Sequence, residues 1–180
     1  MSRQPKLFDG QVCFITFTVT GWVDVFTRPA YKHIMIDSIR YCQKHKGLLL
    51  YAWCLMSNHI HLIAGAPHDI ALNDIVRDLK KHTSKKIVEA IGKSNESRKE
   101  WMLNMFRYVG KCHPKNIQYK FWKDGYDCLE LFSPEVYEQK LNYIHNNPVT
   151  AEIVDEPHEY LYSSAKNYAD LPGLLDVIVD

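Results

Sequence analysis

No apolar run in this chain is long enough to cross a membrane. The longest, Leu48–Met56, spans nine residues, against the ~20 that a spanning helix needs. The opening MSRQPKLFDG holds no apolar core, so no secretory signal is expected. Cysteine is sparse and shows no pairing pattern. There are five, Cys13, Cys42, Cys54, Cys112 and Cys128, and none forms C-x-x-C. A disulfide framework or cysteine-rich zinc site is therefore not expected, and a reducing cytoplasm fits. Glycine and proline number eight each, which excludes collagen and low-complexity disorder. No internal repeat or linker interrupts the 180 residues, so a single domain, 1–180, is expected.

Excess charge of either sign is also missing, since the net is +1. The distribution is uneven. Residues 77–124 hold 13 Lys and Arg against 5 Asp and Glu, whereas 125–180 hold 2 against 11. A basic middle and an acidic end raise the expectation of a polyanionic partner such as nucleic acid.

Val12–Thr20 alternates with β-branched and aromatic residues and predicts a strand. Thr27-Arg28-Pro29 predicts a helix start capped by the threonine, and Gly47 a stop. Leu48–Met56, the Ser57-Asn58 turn and His59–Ala64 predict a hairpin. Asp69 is a candidate cap for a second helix ending at Gly92, followed by a basic stretch with one further amphipathic segment. Tyr126–Leu131 predicts a fourth strand, and Ser133-Pro134-Glu135 a last helix that stops at Pro148. The order β-α-β-β-α-β predicts an α+β, ferredoxin-like sheet with helices on one face and an additional C-terminal helix.

Three constellations carry chemistry. His59 and His61 are i and i+2 on a strand, so their imidazoles share a face and can share one cation. Tyr143 and Asn147 are i and i+4 on the last helix and share a face there. Tyr143 flanks the Tyr137, Leu141, Ile144 stripe, and a phenol can act as a covalent nucleophile. Asn147 precedes a proline and reads equally as an amide ligand or a helix cap. The basic middle interleaves Lys80, Lys81, Lys86, Lys111 and Lys123 with aromatics including Trp122. Cations track phosphates, and aromatic rings give bases a stacking platform.

The ordered set CLMSNHIHLI (54–63), KKHTSKKI (80–87), FWKDGY (121–126), KLNYIHNNPV (140–149) and PHEYLYSS (157–164) resembles the HUH-class single-tyrosine transposases, and within them the REP-associated tyrosine transposases. The resemblance covers roughly 11–168 and leaves 169–180 as a tail. It implies that Tyr143, on the extra helix, is the nucleophile and that His59, His61 and Asn147 hold Mg²⁺ or Mn²⁺. It implies cleavage of single-stranded DNA beside a REP-like or inverted-repeat hairpin, through a 5′-phosphotyrosine intermediate with rejoining. Lys80, Lys81, Thr83, Lys86, Lys111, Trp122 and Lys123 are then expected on DNA. Bond energy kept in the phosphotyrosine removes any need for an ATP motif. Monomer and homodimer both stay open. One rival is a non-cleaving hairpin- or single-strand-binding protein derived from a transposase. Another is a zinc hydrolase using His59, His61 and another histidine such as His145 or His33.

Overall fold

The computed structural model describes residues 12–115 and 117–179. The opening decapeptide lies outside them. The four strands are β1 (Cys13–Thr18), β2 (Leu49–Leu55), β3 (His59–Gly65) and β4 (Asp127–Glu130). The helices are α1 (Pro29–Lys46), α2 (Leu72–Lys93), α3 (Lys99–Cys112), α4 (Pro134–Thr150) and the short α5 (Ala165–Tyr168). The strands form one antiparallel sheet in the order β2-β3-β1-β4. The protein is thus an α+β fold built on a four-stranded antiparallel sheet. The amphipathic segment after α2 is α3, inserted ahead of β4.

Helices cover both faces of the sheet, not one. Alternation sends Phe17 of β1 toward α2, where Lys80 Nζ stands 5.8 Å from its ring. Phe14 points the other way, with the Tyr143 ring of α4 at 6.0 Å. α1 packs on α2, while α4 packs on β2 and β3. Double coverage explains why β2 and β3 are buried from Leu50 to Leu55 and from Ile60 to Gly65.

Several element ends differ from expectation. Arg28, not Thr27, occupies the α1 cap position, and Thr27 Oγ1 instead accepts from Arg98 at 3.1 Å. Gly47 does end α1, in the left-handed region at φ 73, where a Cβ would meet Ile70 Cδ1 at 2.7 Å. α2 has Ala71 at its cap rather than Asp69, and it runs past Gly92 to Lys93. Ser133 caps α4 as expected, accepting from Val136 N. That helix continues through Pro148 to Thr150, with Ala151 as its cap. Pro148 is buried inside the helix, where it gives up one backbone N–H.

Residues after α4 fasten it to the sheet. Tyr160 donates its hydroxyl to Leu55 O at 2.8 Å, and Cys54 pairs with Ser163 in an isolated bridge. Ser164 is fully buried; its Oγ accepts from Trp53 N at 2.9 Å and meets His145 Nε2 of α4 at 2.8 Å. The acidic end is docked as well. Leu175 is buried, Ile178 N bonds Leu50 O, and Arg40 and Gln43 of α1 donate to the carbonyls of Leu174 and Asp176.

Candidate active site

The β1–β3 register sets Thr16 opposite His61 and Thr18 opposite His59. Strand alternation then gives Phe14, Thr16, His59 and His61 one face. The two imidazole centroids are 4.7 Å apart. His61 lies between Phe14, stacked at 5.4 Å, and Tyr143, edge-on at 5.3 Å. The ring of Tyr143 therefore reaches the histidine pair from α4 of the same chain, and its side chain is still half exposed at 49%.

Both imidazoles are oriented through Nδ1. His59 Nδ1 is 2.7 Å from Asn58 Oδ1, an acceptor, so the proton resides on that nitrogen. His61 Nδ1 is 2.7 Å from Thr16 Oγ1. His61 Nε2 is buried and has no hydrogen-bond partner. A buried ring nitrogen without a partner is unfavourable unless something is there to meet it. Burial pushes the His61 pKa down to about 3, helped by His59 and Lys140 nearby. Burial lowers that of His59 too, against an opposing pull from Asp24. Neutral imidazole is the form that binds a metal.

Asn147 is half-buried one turn beyond Tyr143. Its Nδ2 donates to Tyr143 O at 3.1 Å, so Oδ1 is the acceptor end of the amide outside that bond. Because α4 runs on past it, Asn147 is an interior helical residue and not a cap. Among the described residues no group of three or more His, Cys, Asp or Glu gathers around a metal position. His145 is turned into the core against Ser164 and Tyr168, and His33 is on α1 beside Tyr162. The zinc-hydrolase reading requires a third histidine, and among the described residues none joins the pair.

The expected DNA-binding set divides. Thr83 is fully buried and Trp122 nearly so. Trp122 Nε1 donates to Thr83 Oγ1 at 3.1 Å, and its ring packs on Phe17, Phe26 and Phe121. Both are core residues that join α2 to the sheet and cannot meet DNA. Lys80 is likewise committed inward, donating to Lys123 O at 3.1 Å and to Gly125 O. Lys81 and Lys86 are exposed on α2, the layer across the sheet from Tyr143. With Tyr41 and Asp37 of α1 they line an open groove of about 900 Å³. Lys111 is exposed at the end of α3. Lys123 is exposed, its Nζ 3.9 Å from the Trp22 ring centre. The basic middle is thus not a surface between the two halves of the site, although it lies between them in the chain.

Sequence reasoning missed the residues that hold the site. Thr16 needs the strand register, which no local pattern reveals. Asn58 directly precedes the histidine motif and was legible as a turn residue only. Lys140 sits three residues before Tyr143, and its Nζ is 5.6 Å from that ring and 4.9 Å from Phe14. Helical spacing could have found it.

The antiparallel sheet thus presents two histidines of one strand to a tyrosine on a following helix. The family model described as "Transposase IS200 like" matches residues 15–109, more than half of the chain, and the chain belongs to that family. No curated protein matches it. A solved structure, that of a REP-associated tyrosine transposase bound to a REP hairpin, is similar at TM-score 0.59. It covers 99% of this chain and 94% of that one at 17% identity, a likeness of fold. A crystal structure of a candidate transposase from Deinococcus radiodurans is 20% identical, with TM-score 0.46 over 81% of this chain and 97% of that one. That second likeness is too loose to add to the first.

Proposed function

We propose that this transposase-family chain nicks and rejoins single-stranded DNA beside a hairpin, with Tyr143 as nucleophile and a divalent ion held by His59, His61 and Asn147. The observation that carries the reading is the Tyr143 ring 5.3 Å from His61, whose buried Nε2 has no partner. The donor types suit the ion: two imidazoles oriented through Nδ1 and an amide oxygen. Bound there, Mg²⁺ or Mn²⁺ supplies Lewis-acid polarisation of a phosphate oxygen. The REP hairpin on the fold neighbour supports a hairpin as the recognition element.

Tyr143 Oη attacks the phosphorus and loses its proton to solvent. An Oη–P bond forms as the P–O3′ bond breaks, and the electron pair leaves with O3′, which takes up a proton. The products are a 5′-phosphotyrosine and a free 3′-hydroxyl. One phosphodiester replaces another, so the reverse attack by a 3′-hydroxyl rejoins the strand without a nucleotide cofactor. Lys140 stands beside the tyrosine ring, where its charge favours an approaching phosphate.

The test is incubation with labelled hairpin DNA bearing single-stranded flanks, with Mn²⁺, followed by denaturing electrophoresis. A covalent adduct is expected from the native chain and none from Tyr143→Phe. Hairpin binding without an adduct would support the non-cleaving reading. An adduct retained in Tyr143→Phe would remove Tyr143 as nucleophile.

A further inference from the structure

The reaction above makes no use of Trp22, yet Trp22 extends the row of rings that carries it. Trp22, His59, His61 and Tyr143 follow one another with centroids 6.5, 4.7 and 5.3 Å apart. Trp22 is 59% exposed, and Lys123 Nζ covers its ring at 3.9 Å.

Its position is built and not incidental. Gly21 and Trp22 both adopt the left-handed region, at φ 67 and φ 55. Glycine takes that conformation freely, but a bulky aromatic does so only when its surroundings impose it. Asn58 supplies part of the hold. Its Nδ2 donates to Trp22 O at 3.3 Å and to Asp24 Oδ1 at 2.9 Å, while its Oδ1 accepts from His59. One amide side chain therefore sets both the Trp22 backbone and the His59 ring. From the other side, Thr20 N bonds Phe121 O and Lys123 N bonds Thr18 O, which fixes Lys123 next to the indole.

We propose that Trp22 and Lys123 form a nucleotide subsite next to the histidine pair. A nucleobase of the single strand stacks on the indole in place of the Lys123 ammonium, which swings off the ring to pair with that nucleotide's backbone phosphate. This rests on the single-strand DNA reading above and adds to it a base-stacking position. Stacking accepts any base, so the subsite holds the strand in place and leaves sequence choice to other contacts.

The test uses the full chain carrying Tyr143→Phe, so that nothing is cut. Fluorescence anisotropy compares a labelled thymidine oligonucleotide of about fifteen nucleotides with an abasic strand having the same phosphates. The base-bearing strand is expected to bind about 5- to 100-fold tighter. Trp22→Ala should erase that difference, and Trp22→Phe should restore most of it. Lys123→Gln should weaken both strands equally and reduce the salt slope by about one. The inference is overturned if Trp22→Ala keeps the difference, if it weakens both strands alike, or if the parent shows no difference. Adduct formation by the native chain is scored separately, so a failed nucleophile and a failed subsite give different results.

Discussion

Thr16 Oγ1 lies 2.7 Å from His61 Nδ1, across the β1–β3 ladder. The bond keeps the ring turned so that the buried Nε2 is the nitrogen left bare. Thr16→Val preserves shape and strand propensity and removes the hydroxyl. Metal affinity should then fall about 10- to 100-fold, read as a rise in the Mn²⁺ concentration that half-saturates adduct formation. An unchanged Mn²⁺ requirement would show that Thr16 does not orient the ring.

Thr83 and Trp122 belong to the core and not to the DNA surface. Thr83→Val strands the buried Trp122 N–H, which should cost about 1–3 kcal/mol of stability in urea unfolding. The folded variant should bind hairpin DNA as the native chain does. Lost affinity at native stability would restore a DNA contact to Thr83.

His145 makes stability depend on pH. Burial pushes its pKa down to about 4, from 6.5 when exposed. Between those values the unfolded chain binds a proton that the folded chain does not. Stability is therefore full above about pH 6.5 and is lost as pH falls toward 4, by roughly 2 kcal/mol at pH 5 from this residue. His145→Gln should flatten the decline between pH 7 and pH 5 in urea unfolding. An equally steep decline would assign it to other groups.

The acidic end is structural. Leu175→Ala removes a buried side chain and should cost about 2–5 kcal/mol, read as a lowered urea midpoint. A native midpoint would mean that the docked end contributes little.

What could be read beforehand followed from short-range rules. The period-2 pattern of His59 and His61 and the Ser133-Pro134 start of α4 depend on residues a few positions apart. What could not be read depends on which segments meet. Chain order set the basic helix between the halves of the site, but its connection carries it to the opposite face of the sheet. Trp122 looks the same in a sequence whether it stacks on a base or on Phe26. Pro148 signals a helix end locally and is overruled by burial. Trp22 and Thr16 become visible only once the strand register is known.

Ser164 has a consequence in time. It binds His145 of α4 and Trp53 of β2, and it follows Asn147 in the chain. A ribosome that has released Asn147 has already delivered every side chain assigned to the reaction, but not the serine that fastens their helix to the sheet. For the proposed DNA-breaking reaction, that order places one fastening of the tyrosine helix in the last part of synthesis, after the side chains of the reaction.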